Sequence, residues 1–163
     1  MFVAREGEFQ VSTKNYNFKN IKLVALDIDG TLLDDNLEIS LSTKKTIEDL
    51  ISRKVYVVLV TGRTFRAAEF IREKLEIEIP VIAYNGGKVA IPPKGEIFSR
   101  KIPLTEALKV IKYGEERDLY VKVYIDDVLY IKEPDAKSLA FSSSNNINYK
   151  VVGKLSENIY EDV

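Results

Sequence analysis

Apolar runs that each end in a polar turn recur along the first part of the chain. Leu23 to Leu26 are four apolar residues without polar alternation, which is typical of a strand buried on both faces of a parallel sheet. Similar runs occupy Val55 to Val60 and Pro80 to Tyr84. Residues 42–54 and 64–75 separate the runs and carry apolar residues at helical spacing. Strands that alternate with helices in this way predict a parallel βαβ arrangement.

Both predicted helices begin at a hydroxyl residue that can accept a hydrogen bond from the first turn. Ser42 is the expected N-cap of the first helix, which should run to Lys54, and Thr64 is the expected N-cap of the second. The residues expected to face the core are Ile47, Leu50 and Ile51 in the first helix, and Ala68, Ile71 and Leu75 in the second.

The pattern changes after Pro103, where a helix is predicted over residues 104–118. Alternating residues from Leu119 to Ile125 then predict a strand with one exposed face. Asp126-Asp127 could be a second metal pair, but a two-residue hairpin turn into an antiparallel strand over residues 128–132 is the better interpretation. The remaining predicted elements are a helix that begins at Pro134, a strand from Asn148 to Val152 and a short helix from Ser156.

These elements predict an α/β fold. We expect a Rossmann-like parallel sheet with helices on both faces, followed by a smaller α/β segment. The chain divides into a polar N-terminal extension over residues 1–20, a core over residues 21–102 and the second segment over residues 103–163.

The composition indicates a globular chain and excludes several kinds of chemistry. Of the 163 residues 45% are hydrophobic and 30% are charged, with a formal net charge of -1, so we expect neither a nucleic-acid nor a membrane partner. The sequence contains no His and no Cys, which excludes disulfides, Ser-His-Asp triads and His/Cys zinc sites within it. Met1 to Gln10 carry no apolar leader segment, and we expect a cytoplasmic protein.

Two carboxylates stand at the end of the first apolar run. Asp27 and Asp29 lie where open α/β sheets bind ligands, and Gly30 lets the backbone turn away. Neighbouring carboxylates repel unless a cation compensates, and Mg²⁺ commonly binds one or two carboxylates together with phosphate oxygens. The pair therefore indicates a phosphoryl-transfer site, although a polar turn is the alternative that the residues alone leave open.

The next two strands also end in residues suited to a ligand. Thr61-Gly62-Arg63 offers a hydroxyl and a close backbone approach for a phosphate, and Asn85-Gly86 follows the third strand. Each motif alone is equally typical of a turn, and a hairpin over residues 89–98 supports that interpretation of Asn85-Gly86.

The three motifs together resemble the haloacid dehalogenase-like hydrolase superfamily. Asp27-Ile28-Asp29-Gly30-Thr31 after four apolar residues is similar to its first motif, and the strand ending in Thr61 is similar to its second. The Thr61-Gly62-Arg63 and Asn85-Gly86 forms resemble the Cof-type sugar-phosphatase-like branch. The resemblance covers residues 21–152 and implies a Mg²⁺-dependent phosphatase that acts on a small phosphorylated metabolite.

The resemblance also implies a role for each motif residue. Asp27 would be the nucleophile that forms an aspartyl phosphate, and Asp29 the general acid and base. The metal ligands would be Asp27 and the backbone carbonyl of Asp29. The remaining expected contacts are Thr61, Gly62 and Gly30 to phosphate, and Arg63, Asn85 and Gly86 to the substrate. The segment after Pro103 resembles the family's cap, which selects the substrate.

The superfamily pattern requires a Lys and an acidic pair after the cap, and this sequence carries neither motif. Lys150 and Lys154 lie inside the cap-like segment, and Glu157, Glu161 and Asp162 lack the preceding apolar strand. We therefore expect a fragment or truncated gene product with impaired activity. A phosphomannomutase-like phosphotransferase and a catalytically inactive binding or assembly module are the alternatives.

The same comparison predicts self-association. In the superfamily fold the first strand lies in the middle of the sheet, so without the later strands Leu23 to Leu26 would form an exposed apolar edge. An edge with unpaired amide and carbonyl groups can pair with another chain. We therefore expect a homo-oligomer, most simply a two-fold dimer.

Overall fold

The computed structural model describes residues 20–163, which form a five-stranded and a three-stranded sheet with associated helices. The predicted N-terminal extension lies outside the described residues, apart from Asn20. The strands are β1 (Leu23–Leu26), β2 (Tyr56–Val60), β3 (Val81–Ala83), β4 (Lys88–Ile91), β5 (Gly95–Ser99), β6 (Val123–Ile125), β7 (Val128–Ile131) and β8 (Tyr149–Val151). The helices are α1 (Leu41–Ser52), α2 (Phe65–Leu75), α3 (Leu104–Glu115), α4 (Ala136–Ser144) and α5 (Leu155–Asn158).

The first sheet has the order β1-β2-β3-β4-β5. β1, β2 and β3 are parallel, and α1 and α2 connect them, which confirms the predicted βαβ arrangement. β4 and β5 form the predicted antiparallel hairpin, and β4 is antiparallel to β3. β1 is an edge strand of this sheet, as the topology argument predicted.

Both crossover helices pack against one face of the first sheet. Val57 and Leu59 of β2 point to that face and share one buried cluster with Ile47 of α1 and Ile71 of α2. On the other face Leu23 is 55% exposed, so the expectation that β1 is buried on both faces is wrong for the described residues. Strands that are added in one direction across a sheet place their right-handed crossovers on the same side, which accounts for the uncovered face.

The second sheet has the order β6-β7-β8. β6 and β7 are antiparallel across the predicted two-residue turn at Asp126-Asp127, and β8 runs parallel to β7. The two sheets meet at α2, where Ala67 packs in one buried cluster with Leu129, Ile131 and Ile147. The residues after β5 therefore rest directly on the helix that follows Thr61-Gly62-Arg63.

Several predicted boundaries were wrong by a few residues. Ser40, rather than Ser42, caps α1, since its hydroxyl accepts a hydrogen bond from the Thr43 amide at 3.0 Å. Ile51 is 39% exposed and does not belong to the core. β6 begins only at Val123, because the pairing with β7 includes no residue before Val123. No helix of residues 20–163 is both long and apolar enough to cross a membrane.

Candidate active site at the carboxyl ends of the parallel strands

Three parallel strands bring the predicted motifs to one edge of the first sheet. Leu26 pairs with Leu59 in the β1–β2 ladder, so Asp27 and Thr61 follow neighbouring strands at nearly the same level. Val60 pairs with Ile82 of β3, which is two residues before Tyr84. The three motifs that the sequence marked are therefore neighbours in space.

A wide turn presents the two aspartates at the end of β1. The carbonyl of Asp27 accepts a hydrogen bond from the Leu32 amide at 3.2 Å, and Gly30 adopts a left-handed conformation with φ of 69°. Ile28 and Leu32 are buried and anchor the turn in the core, while Asp27 and Asp29 are exposed. Alternation of buried and exposed residues therefore places both carboxylates on the solvent side of the turn.

Arg63 holds the carboxylate of Asp29 in a two-point ion pair. Its Nε donates to Oδ2 at 2.9 Å and its Nη2 donates to Oδ1 at 2.6 Å. The hydrogen bonds from Arg63, together with its positive charge, hold the pKa of Asp29 below its ordinary value. The same hydrogen bonds raise the pKa of Arg63, to which the charge of Asp27 also contributes. Asp29 is therefore an ionised carboxylate in this arrangement.

The carboxylate of Asp27 is free of such a partner. It makes no hydrogen bond or ion pair with any of residues 20–163, although it lies near enough to Arg63 to stabilise the guanidinium charge. The two aspartates of one motif thus differ in availability, since Asp29 is engaged and Asp27 is open to a ligand.

The loop after β2 combines a buried hydroxyl with a close backbone approach. Thr61 is 4% exposed, and its Oγ1 accepts a hydrogen bond from the Arg63 amide at 3.1 Å, so its own proton is available to an acceptor. The amide of Gly62 donates to no group among the described residues. Thr64 caps α2 as predicted, through a hydrogen bond from the Ala67 amide at 3.3 Å. This loop can therefore donate hydrogen bonds to an anion.

The segment after β3 is tied to the same loop. Tyr84 and Asn85 have left-handed φ angles of 52° and 53°, and their amides donate to the carbonyls of Arg63 and Thr61 at 2.9 and 3.1 Å. A Cβ atom on Gly62 would lie 2.9 Å from Oδ1 of Asn85, so only glycine permits the observed approach. The amide side chain of Asn85 therefore packs over the Thr61-Gly62 loop, while Gly86 continues the left-handed run at φ of 98°.

Two residues from the part of the chain that forms the second sheet also contact this site, and the sequence did not predict either of them there. Asn145, which ends α4, accepts a hydrogen bond from Nη1 of Arg63 at 2.8 Å. Asp127 was predicted only as a turn residue, yet its carboxylate accepts a hydrogen bond from the Tyr84 hydroxyl at 2.8 Å. Neither contact has a local sequence signal, because the partners are 82 and 43 residues apart.

A cavity adjoins this edge of the sheet. It has a volume of about 850 Å³ and is lined by Asn85, Gly86 and Tyr124 among others, but not by Asp27 or Thr61. A bound molecule could thus extend from the carboxylates past Asn85 into a larger space.

The donor set suits Mg²⁺ in kind but not in number. The Asp27 carboxylate and the Asp29 carbonyl are hard oxygen donors of the type that Mg²⁺ prefers. Residues 20–163 contain no group of three or more acidic side chains arranged to hold a metal ion, and the Asp29 carboxylate is committed to Arg63. The described residues therefore supply few of the six ligands of an octahedral Mg²⁺ site, and water and phosphate oxygens would have to supply the others.

Comparison with known proteins identifies relatives. The family model for haloacid dehalogenase-like hydrolases matches residues 24–162. The 5-amino-6-(5-phospho-D-ribitylamino)uracil phosphatase YitU of Bacillus subtilis is 32% identical over 145 residues, which are 86% of this chain and 53% of YitU. A crystal structure from Thermotoga maritima is similar with a TM-score of 0.69 and 38% identity, covering 84% of this chain and 51% of that one.

A subclass IIB sugar phosphatase of the same superfamily shares the fold with a TM-score of 0.69 and 20% identity, covering 87% of this chain and 56% of that one. The chain spans about half the length of the curated relatives it matches first. Because the family model covers most of the chain and its first two motifs end neighbouring strands of the sheet, the chain belongs to the haloacid dehalogenase-like hydrolase family.

Proposed function

We propose that this chain carries the nucleophile side of a phosphatase site that acts on a small phosphorylated metabolite. The observation that carries the proposal is the Asp27 carboxylate at the end of β1, which has no partner among residues 20–163. It lies next to the Thr61 hydroxyl and the Gly62 amide, whose protons have no acceptor among those residues. A nucleophilic carboxylate must be ionised and open to the ligand, and the donors beside it suit phosphoryl oxygens.

In the proposed reaction an oxygen of Asp27 attacks phosphorus in line with the leaving oxygen. A phosphorus–oxygen bond to Asp27 forms while the bond to the leaving group breaks, and the leaving oxygen takes up a proton. Water then attacks the aspartyl phosphate, which releases phosphate and restores the carboxylate. Thr61, Gly62 and Gly30 are proposed to donate hydrogen bonds to the phosphoryl oxygens.

Asp29 is proposed to handle the protons of both steps. The ion pair with Arg63 lowers the pKa of Asp29, so the arrangement favours the base that activates water. To protonate a leaving oxygen Asp29 must first bind a proton, which requires that Arg63 move away from it. Arg63 is therefore proposed to exchange Asp29 for a substrate oxygen, consistent with the substrate-binding role that we assign to it together with Asn85 and Gly86.

Mg²⁺ is the proposed cofactor, held by the Asp27 carboxylate and the Asp29 carbonyl. When bound it would neutralise charge on the phosphoryl oxygens. Residues 21–102 are proposed as the core that performs the chemistry, and residues 103–163 as the cap segment that selects the substrate. YitU is a phosphatase of a ribitylamino phosphate and another relative is a sugar phosphatase by name, which supports a polyol or sugar phosphate as substrate.

The proposal is tested by beryllium fluoride, a phosphoryl mimic, in a ¹⁹F NMR titration with Mg²⁺ present. The parent chain should bind it, and Asp27→Asn should abolish the bound signal because the attacking carboxylate is lost. Asp35→Asn is the matched control, since Asp35 is an exposed aspartate outside the site. An Asp27→Asn chain that binds as well as the parent would refute a nucleophilic Asp27. Absence of binding in a folded parent would favour an inactive module.

A further inference from the structure

The carboxylate of Asp127 links the turn between β6 and β7 to three earlier segments: the residues after β3, the first turn of α2, and β4. Its Oδ1 accepts hydrogen bonds from the Tyr84 hydroxyl at 2.8 Å and the Arg66 amide at 3.0 Å, and its Oδ2 accepts one from Nζ of Lys88 at 3.0 Å. The Asp127 side chain is 17% exposed. A half-buried carboxylate with three donors from separate segments fixes those segments relative to one another.

The first of these segments is held in a strained conformation. Tyr84 and Asn85 both have positive φ, which costs free energy for a residue with a Cβ and is especially uncommon for a bulky one. Such a conformation persists only where its surroundings determine it. Asp127 supplies that restraint at the far end of the Tyr84 side chain, and burial together with the charge of Asp127 raises the pKa of the hydroxyl, which therefore remains a donor.

The second segment is the first turn of α2. The amide of Arg66 is one of the donors that a helix leaves unpaired at its start, and a carboxylate there is favoured by the helix dipole. This turn directly follows the loop that contains Gly62 and Arg63. One side chain thus fixes both the loop after β2 and the segment after β3.

We propose that Asp127 is a positioning residue of the candidate site: it fixes Tyr84 and the start of α2, and thereby holds Asn85 over Gly62. The proposal rests on the proposed function only in giving Asn85 a substrate to contact. Asp127 itself uses its oxygens on three protein donors, so its role is to position Asn85 and not to bind the ligand.

Two-dimensional ¹H–¹⁵N NMR of the full chain tests this with Asp127→Ala and the control Asp126→Ala. The two aspartates are adjacent, both have positive φ and both variants lose one carboxylate. Asp126, however, is 71% exposed, and its one ion pair within residues 20–163 is with Lys101. The amide signals of Asn85 and Gly62 should move several times further in Asp127→Ala than in Asp126→Ala. Equal movement in the two variants would overturn the proposal.

Two further variants separate positioning from loss of stability. Asp127→Asn retains an acceptor for Tyr84 and Arg66, so it should leave the Asn85 signal near its parental position. Tyr84→Phe should reproduce most of the shift, and adding it to Asp127→Ala should move Asn85 little further, since both remove the same hydrogen bond. A lowered unfolding midpoint with unmoved Asn85 and Gly62 signals would show a merely structural Asp127.

These signals are read in the chain without ligand, so they are independent of phosphatase activity. Beryllium fluoride titration of the parent is the separate test of the proposed function. If the parent does not bind beryllium fluoride but Asp127→Ala displaces the Asn85 signal, the proposed function is refuted and the positioning role stands. If the parent binds beryllium fluoride but Asp127→Ala leaves the Asn85 signal in place, the positioning role is refuted and the proposed function stands.

Discussion

A single methyl group at Gly62 should separate ligand recognition from folding. In Gly62→Ala the new Cβ would lie 2.9 Å from Oδ1 of Asn85, several tenths of an ångström inside ordinary contact distance. Asn85 is exposed and the clashing atom is at the end of its side chain, so the amide can rotate into solvent. The strain is therefore relieved at the site rather than in the core.

The expected free energies follow from this geometry. A displaced rotamer costs about 0.5–1.5 kcal/mol, while replacing Gly by Ala restricts the unfolded chain and returns about 0.4–1 kcal/mol. The unfolding free energy should therefore change by less than about 1 kcal/mol. Losing one neutral hydrogen bond from Asn85 to a substrate, worth about 0.5–1.5 kcal/mol, should weaken binding roughly twofold to tenfold.

Urea denaturation and calorimetric titration measure the two quantities, the latter with inorganic phosphate and with a sugar phosphate that the parent chain binds. Gly62→Ala should weaken sugar phosphate binding more than inorganic phosphate binding. Gly114→Ala is the converse control: its Cβ would lie 2.5 Å from Cγ2 of Val121 in the packing of α3, so stability should fall with the affinity for inorganic phosphate unchanged. A loss of more than about 2 kcal/mol of unfolding free energy in Gly62→Ala, or unchanged affinities for both ligands, would refute this prediction.

Three further predictions concern charge, metal and the sheet edge. Because Arg63 lowers the folded pKa of Asp29, this carboxylate stabilises the parent above its ordinary pKa of 3.8, and the contribution is lost as pH falls through the folded pKa. Arg63→Gln should therefore reduce the fall in urea midpoint between about pH 6 and pH 2.5, and an unchanged fall would contradict the ion pair. Calorimetry should show weak Mg²⁺ binding, since Asp27 and the Asp29 carbonyl are the only ligands proposed, and tight stoichiometric binding would refute this. Light scattering at micromolar concentration should give a dimer for the parent and a monomer for Ala25→Lys, which places a charge on the exposed edge strand β1; a monomeric parent would overturn the edge argument.

Features set by local sequence were predicted well. Thr64 caps α2, and Ala68, Ile71 and Leu75 form its buried face, because hydroxyl caps and helical spacing act within one or two turns. Asp126-Asp127 forms a hairpin turn with both residues at positive φ, for which aspartate is well suited. Parallel pairing of the three predicted strands was then sufficient to predict that the three motifs lie at one edge of the sheet.

Burial of β1 could not be read from its residues alone. Four apolar residues in sequence indicate what the strand can bury, whereas the exposed fraction depends on which elements cover each face. α1 and α2 cover the face of Val24 and Leu26, which are half-buried, and leave Leu23 and Ala25 exposed. The same uncovered face is what makes Ala25 a useful position for testing association.

The sequence likewise could not predict which of the two motif aspartates is held in an ion pair, since this depends on contacts between distant residues. Asp27 and Asp29 are chemically identical and one residue apart, yet only Asp29 is engaged by Arg63, 34 residues further on. Arg63 is in turn held by Asn145, whose amide also donates to the Phe141 carbonyl at 2.9 Å at the end of α4. The segment after β5 therefore contributes to which of the two motif carboxylates is held in an ion pair, so altering α4 should change how firmly Arg63 engages Asp29 although the two are distant in sequence.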